Sequence, residues 1–297
     1  MPNIADYSCD DFRKWTVAIV NWKSLDWLNW QIKSLYEFNN PINFELIIFD
    51  GMFPKSELVE LEFLCEPYKS FKNIKLLSWS TGDEKQSDFG SGNSIYHGSE
   101  HGDELTEILK IANSQYFLSN DPDYFWMIKD HLNFLEKFFI AGYGSVGAVN
   151  NYFDFVSIWA GAYRTEDIKG LSAAATWVTC SDCKKRFLVQ GQDTGWQFRL
   201  KTQALPKFLF PQMIFNLPFK GPWSYPFDGG YNFYKAYHYE KLPIGLHFFR
   251  GQYPIEQTTA PLPDEWKIAR QSYGKYFYDQ CLNSDFNYKS CYIQPVG

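Results

Sequence analysis

The sequence predicts an α/β fold: a mostly parallel sheet flanked by helices, with an aromatic-rich C-terminal lobe. Two observations carry this expectation. Through the first half, short β-rich apolar runs alternate with stretches of helical periodicity, the pattern of a parallel sheet with covering helices. In the second half, aromatic residues crowd together and are interrupted by Pro and Gly.

In chain order, Thr16 to Val20 is a buried strand ending at Asn21-Trp22-Lys23. Ser24 is placed to cap a helix with Asp26 in its first turn. Leu25, Leu28, Ile32 and Leu35 then recur at helical spacing until Asn39-Asn40-Pro41. Phe44 to Phe49 is a second strand closed by Asp50-Gly51. Pro54 opens a second helix with Leu58, Leu61 and Cys65 inward. Ile74 to Trp79 is a third strand, followed by a Gly-, Ser- and Asp-rich loop from Ser80 to His101. Gly102 to Ala112 reads as a helix with Leu105, Ile108, Leu109 and Ala112 on one face. His97, Gly98 and His101 precede it, either as solvated loop residues or beside a phosphate at the helix N-terminus.

Tyr116 to Leu118 is the next strand. It runs out through Ser119 and Asn120 into Asp121-Pro122-Asp123, where Pro122 stops the ladder. An extended Asp121-Pro122-Asp123 would project both carboxylates to one side. Their repulsion would be relieved by a hard cation such as Mg²⁺ or Mn²⁺ that also holds a diphosphate. The same tripeptide also reads as a plain turn. Asn21, Asp50 and Asp121 all sit at strand C-ends, where open α/β sheets bind ligands, so they are expected to share one crevice.

Composition narrows the function classes. The chain has 297 residues, 45% hydrophobic and 20% aromatic, enough to bury a sizeable core. Net charge is −6 with no long basic run, which argues against nucleic acid or an anionic membrane as partner. No apolar stretch is long enough to be a transmembrane segment, and the polar, acidic start is unlike a secretory signal. A cytoplasmic location is the default expectation. The six cysteines, Cys9, Cys65, Cys180, Cys183, Cys281 and Cys291, are expected to be free thiols. Cys180-x-x-Cys183 alone is half of a zinc ribbon, and thiols in an insertion are the simpler reading.

The pieces TVAIVNWKS, IIFDG and HGDELTEILKIANSQYFLSNDPDYFW resemble, in order and spacing, the nucleotide-sugar glycosyltransferases of the GT-A (Rossmann-like) fold, family-2 type. The resemblance covers residues 15–130, with weaker echoes to residue 255. It implies one domain over residues 1–297: a nucleotide-sugar-binding half (15–130), an acceptor half (131–255), and a C-terminal helix and tail (256–297). It further implies that Asp121 and Asp123 hold Mn²⁺ or Mg²⁺ on the donor diphosphate, that Asp50 contacts the nucleoside, and that Asn21 and Trp22 line the base and ribose pocket. The implied activity is metal-dependent hexosyl transfer, inverting, from a nucleoside-diphosphate sugar to a glycan or other hydroxyl acceptor. Tyr124-Phe125-Trp126 departs from the family pattern and either covers the donor or packs.

Beyond this, Ile128 to Phe138 reads as a helix with Ile128, Leu132, Leu135 and Phe138 inward. Val146 to Val149 and Phe155 to Ala162 read as strands, and Gly161 to Gly170 as a strand end and one helical turn, with Tyr163 and Arg164 as ordinary surface. Asp193, in QGQDTGW, is either a helix N-cap or, by resemblance, the general base; the family's Glu-Asp pair is here Gln192-Asp193. The aromatic stretch from Phe208 to Tyr239 reads as irregular, with rings suited to sugar C–H faces. Leu246-His247-Phe248-Phe249-Arg250-Gly251 resembles the segment that brings a third metal ligand, His247, and a diphosphate partner, Arg250. His247 reads equally as a lone core histidine. A helix from Pro263 to Leu282 precedes the tail. Two rival functions remain open: a nucleotidyltransferase, which TVAIVNWKS disfavours for want of a Gly-rich basic loop, and a catalytically silent carbohydrate- or nucleotide-binding protein of the same fold.

Overall fold

The structure is a computed structural model that describes residues 3–8, 12–21, 25–51, 55–78, 97–150, 153–173, 176–179, 186–189, 201–202, 204–213, 235–240 and 242–247. In chain order its elements are β1 (Asn3–Asp6), β2 (Trp15–Asn21), α1 (Leu25–Phe38), β3 (Phe44–Asp50), α2 (Lys55–Cys65), β4 (Ile74–Ser78) and α3 (His97–Ile111). There follow β5 (Tyr116–Asn120), β6 (Tyr124–Trp126), α4 (His131–Ile140), β7 (Ser145–Asn150), β8 (Phe153–Arg164) and the single turn α5 (Thr165–Ile168). The remaining strands are β9 (Thr176–Thr179), β10 (Arg186–Val189), β11 (Lys207–Phe210), β12 (Gln212–Met213), β13 (Lys235–Tyr239) and β14 (Leu242–His247).

An eight-stranded sheet runs in the order β1-β4-β3-β2-β5-β8-β7-β11. Its centre is parallel: β2 pairs with both β3 and β5, and β3 with β4. Antiparallel neighbours enter at β1 and β8. A four-stranded antiparallel sheet, β12-β13-β14-β6, stands beside it, and β9 pairs with β10 separately.

The central strands are buried on both faces, so they read as continuous apolar runs rather than alternating ones. Val17 and Ile19 of β2 face one core with Leu28, Ile32 and Leu35 of α1. Ala18 and Val20 face the other, with Leu105, Ile108 and Leu109 of α3. Helix α1 ends where Asn39 caps it, its side-chain amide donating to the Leu35 carbonyl at 3.0 Å. Pro41, without an N–H, cannot continue it.

Several expectations are corrected. Strand β1 lies in the N-terminal stretch, where no strand was expected, and pairs antiparallel with β4. Helix α3 begins at His97 rather than Gly102 and runs through Gly98 and Gly102. The penalty of about 1 kcal/mol per glycine is outweighed by burial of the Leu105, Ile108 and Leu109 face. Helix α4 begins at His131 rather than Ile128, since Asp130 takes a left-handed conformation (φ 56°, ψ 41°) that a continuing helix excludes. Tyr124-Phe125-Trp126 packs: it is strand β6, all three residues buried. Tyr163 is buried, and the Arg164 guanidinium donates to the Phe139 carbonyl at 2.9 Å, so neither is ordinary surface. The aromatic stretch is not wholly irregular. Phe208 and Phe210 of β11 and Tyr239 of β13 pack on Phe134 and Phe138 of α4, with ring centroids 4.4–6.0 Å apart. Cys65 is a free thiol, and burial pushes it up to about 12. The other five cysteines and the Pro263 to Leu282 helix lie outside the described residues.

Candidate functional site

Strand order reverses at β2: β3 and β4 lie on one side of it, β5 and β8 on the other. Loops leaving neighbouring strands at such a switch point diverge and open a crevice at the carboxyl ends. Asn21 ends β2, Asp50 ends β3, and Asp121 follows β5, so the three stand at the carboxyl ends of adjacent parallel strands.

On the β2–β3 side, the Asn21 amide donates to Asp50 Oδ1 at 3.1 Å, and both residues are buried. The Gly51 N–H donates to the Asn21 carbonyl at 3.0 Å, turning the chain away from the strand end. Glu104 of α3, also buried, brings its carboxylate against Gly51, where any Cβ would collide with it. Two buried carboxylates therefore stand at the end of β3, and only Asp50 was singled out from sequence.

On the β5 side, Asp121 to Tyr124 form a tight turn closed by the Tyr124 N–H donating to the Asp121 carbonyl at 3.0 Å. The carboxylates are thus not aligned by an extended backbone, as the sequence suggested. Pro122 occupies the second position of this turn, where its fixed φ is an advantage. The turn passes the chain from β5 in the large sheet to β6 in the small one. There β14 pairs with β6 and sets His247 opposite Tyr124. Gly245 permits this approach, since a Cβ on it would run into the Tyr124 hydroxyl. Trp159 of β8 stacks on the His247 ring, centroids 5.3 Å apart and planes 21° off parallel.

The sheet pairing thereby brings three ligand-type side chains together. His247 Nε2 lies 3.2 Å from Asp123 Oδ1 and 3.9 Å from Asp121 Oδ2. One donor atom from each of Asp121, Asp123 and His247 falls within 4.8 Å of the others. Asp123 is 0% exposed, and neither of its oxygens has a hydrogen-bond partner among the described residues. A buried carboxylate without donors is expensive unless a cation meets it. Two carboxylates and one imidazole fit a divalent ion of the Mn²⁺ or Mg²⁺ kind.

His101 stands on the other side of Asp121, its Nε2 3.7 Å from Oδ1. The longer α3 explains this: His101 lies four residues before Leu105, on the stripe that faces the sheet. Burial lowers His101 to about 4 although 26% of its side chain stays exposed, so the ring is neutral at pH 7. Gln31 and Asn120 reach the backbone of the turn and were missed from sequence. The one available signal was that Gln31 falls between Leu28 and Leu35 on the inward stripe of α1. Trp22, Cys180, Cys183, Asp193 and Arg250 lie outside the described residues. Among the described residues, no helix is long and apolar enough to cross a membrane.

No family model matches the chain, and no curated protein matches it. Solved structures similar to it are GT-A glycosyltransferases. One is the mannosyltransferase PcManGT from Pyrobaculum calidifontis, in complex with GDP-Man and Mn²⁺. It is 13% identical with a TM-score of 0.48, over 69% of this chain and 56% of that one. Another is S. aureus TarS in complex with UDP-GlcNAc, at 15% identity and TM-score 0.46, over 94% of this chain and 73% of that one. A third is the galactosyltransferase LgtC in complex with donor and acceptor sugar analogues, at 12% identity and TM-score 0.37, over 51% and 58%. The chain spans about half the length of the first of these structures it matches. At such identities and TM-scores the likeness carries no argument about activity, which must come from the site.

Proposed function

We propose that the protein is a metal-dependent glycosyltransferase that moves a hexosyl group from a nucleoside-diphosphate sugar to an acceptor hydroxyl with inversion. The observation that supports this most directly is Asp123: wholly buried, without a hydrogen-bond donor among the described residues, and grouped with Asp121 and His247 at the carboxyl ends of the parallel strands. In this reading Asp121, Asp123 and His247 hold Mn²⁺ or Mg²⁺. When bound, the cation supplies charge neutralisation to the donor diphosphate. Asp50, its carboxylate steered by Asn21, accepts hydrogen bonds from the base or ribose, and Trp22 lines the same pocket. Arg250 pairs with a diphosphate oxygen. Asp193 accepts the proton of the acceptor hydroxyl as that oxygen attacks the anomeric carbon. The bond from the anomeric carbon to the diphosphate breaks, its electron pair leaves with the diphosphate, and the configuration inverts. Residues 15–130 serve as the donor half and 131–255 as the acceptor half of one domain.

The test is thermal denaturation with each nucleoside diphosphate, with Mn²⁺ and with chelator, followed by assay of sugar release from the matching nucleotide sugar. A ligand at 100 times its Kd should stabilise by about 2.7 kcal/mol. The expected result is stabilisation by one nucleotide that disappears with chelator, and release of sugar. Stabilisation by none, or equal stabilisation with chelator, overturns the reading. Binding without release to water or any acceptor would instead favour the silent binding protein.

A further inference from the structure

We propose that Gln31 and Asn120 are positioning residues whose side-chain amides clamp the Asp121–Tyr124 turn and thereby set the separation of the metal-ligating carboxylates. The proposal rests on the metal reading above. Gln31 projects from α1, on one face of the sheet, and Asn120 is the last residue of β5. The Gln31 amide nitrogen lies 3.0 Å from the Asp121 carbonyl and 2.9 Å from the Tyr124 carbonyl. The Asn120 amide nitrogen lies 2.9 and 3.1 Å from the same two carbonyls. Two carboxamides from two different elements thus spend all four N–H bonds on the two ends of one turn. Both residues are buried.

The orientation of Asn120 is itself fixed. The Trp126 indole N–H donates to Asn120 Oδ1 at 2.8 Å, which leaves the nitrogen end toward the turn. The Asp121 N–H donates to the Trp159 carbonyl at 2.9 Å, anchoring the turn to β8 as well. This much bonding is more than a turn with its own closing hydrogen bond and a proline needs. Two like charges separated by one residue push the turn open, and none of these bonds involves a carboxylate oxygen. The clamp therefore fixes the backbone through carbonyl oxygens alone, without spending a carboxylate oxygen of Asp121 or Asp123. Gln is the residue type required at position 31, because it alone at that length offers two parallel N–H donors without charge.

The experiment is Mn²⁺ titration of the whole chain followed by electron paramagnetic resonance, with Mn²⁺ alone as probe, alongside thermal denaturation. Gln31→Met keeps the length and removes both donors. It should raise the apparent Mn²⁺ dissociation constant about 10-fold or more, as loss of an outer-shell partner does, and should broaden the zero-field-splitting signature of the bound ion. Tyr36→Phe is the control. It lies on the same helix and loses its 2.7 Å bond to Asn73, away from the turn, so it should cost stability and leave Mn²⁺ affinity unchanged. Should Gln31→Met fail to fold, Trp126→Phe keeps the ring packing, frees the Asn120 amide, and should weaken Mn²⁺ several-fold. Asp123→Asn separates the two ideas. If Asp123→Asn binds Mn²⁺ as the wild type does, the metal reading itself fails. If Asp123→Asn loses Mn²⁺ while a folded Gln31→Met or Trp126→Phe binds it normally, only the clamp fails. An equal loss of affinity in Tyr36→Phe would also overturn the clamp, reducing it to general stability.

Discussion

Two buried carboxylates at opposite ends of the same sheet are built in opposite ways. Glu45, at the amino end of β3, is 5% exposed and saturated. Thr16 donates to its Oε1 at 2.6 Å, the Asn113 N–H approaches the same oxygen at 3.4 Å, and Lys75 pairs with Oε2 at 3.2 Å. Asp123, at the carboxyl end beyond β5, is 0% exposed and has no hydrogen-bond donor among the described residues. Burying a charge costs several kcal/mol unless partners repay it. The fold repays Glu45 internally, whereas among the described residues Asp123 has only the His247 ring beside it, Nε2 3.2 Å from Oδ1, an arrangement that makes sense if a cation completes the site. In the proposed reading the satisfied carboxylate is a structural part and the unsatisfied one is a metal ligand.

The sharpest way to break this contrast is to neutralise both residues in turn. Asp123→Asn should lower Mn²⁺ affinity about 100-fold, close to 3 kcal/mol, while the melting temperature stays or rises, since an uncompensated charge is removed. Calorimetric titration and a melting curve on one sample decide it; a large drop in melting temperature with metal binding intact would reverse the assignment. Glu45→Gln should do the opposite. It leaves Lys75 without its partner and should cost about 2 kcal/mol of stability, measured by urea unfolding, with Mn²⁺ affinity unchanged.

Next in size is a buried group that the fold keeps neutral. His131 is stacked on Trp126, centroids 5.4 Å apart, and its Nδ1 lies 3.3 Å from the Asn39 amide, so that nitrogen accepts. Burial lowers it to about 3, against a smaller opposing hydrogen bond at Ile128. A folded pKa below the unfolded 6.5 means that the unfolded chain binds more protons between those values. Stability is therefore whole above pH 6.5 and declines as pH falls toward 3, by about 1.4 kcal/mol at pH 5.5. His131→Phe should remove this part of the slope in unfolding measured from pH 7 to 4.5; an unchanged slope would mean the ring is protonated in the fold. The smallest effect concerns the β3 end. Gly51→Ala forces the Glu104 carboxylate aside and should weaken nucleoside-diphosphate binding about 5-fold, roughly 1 kcal/mol, with folding intact. Unchanged binding would show that Glu104 takes no part in the pocket.

Much of this was legible because the relevant signals are local. The runs TVAIVN, FELIIFD and YFLSN each end in a polar residue, and a parallel sheet aligns those ends by construction. Asn21, Asp50 and Asp121 could therefore be placed at one crevice from spacing alone. The helix boundaries at His97 and His131 were misjudged because glycine propensity and a left-handed aspartate are settled by packing, not by period.

What the sequence determined by itself was the alternation of strands and helices and the polar residues at their ends, since hydrophobic period is a property of neighbours in the chain. Only the tertiary structure decided that Asp121-Pro122-Asp123 is a turn whose carboxylates still converge, because the clamp comes from α1 and from β5. Only it decided that His247 Nε2 stands 3.2 Å from Asp123 Oδ1. That meeting depends on β14 pairing with β6 across the small sheet, a contact between distant segments that no local pattern encodes.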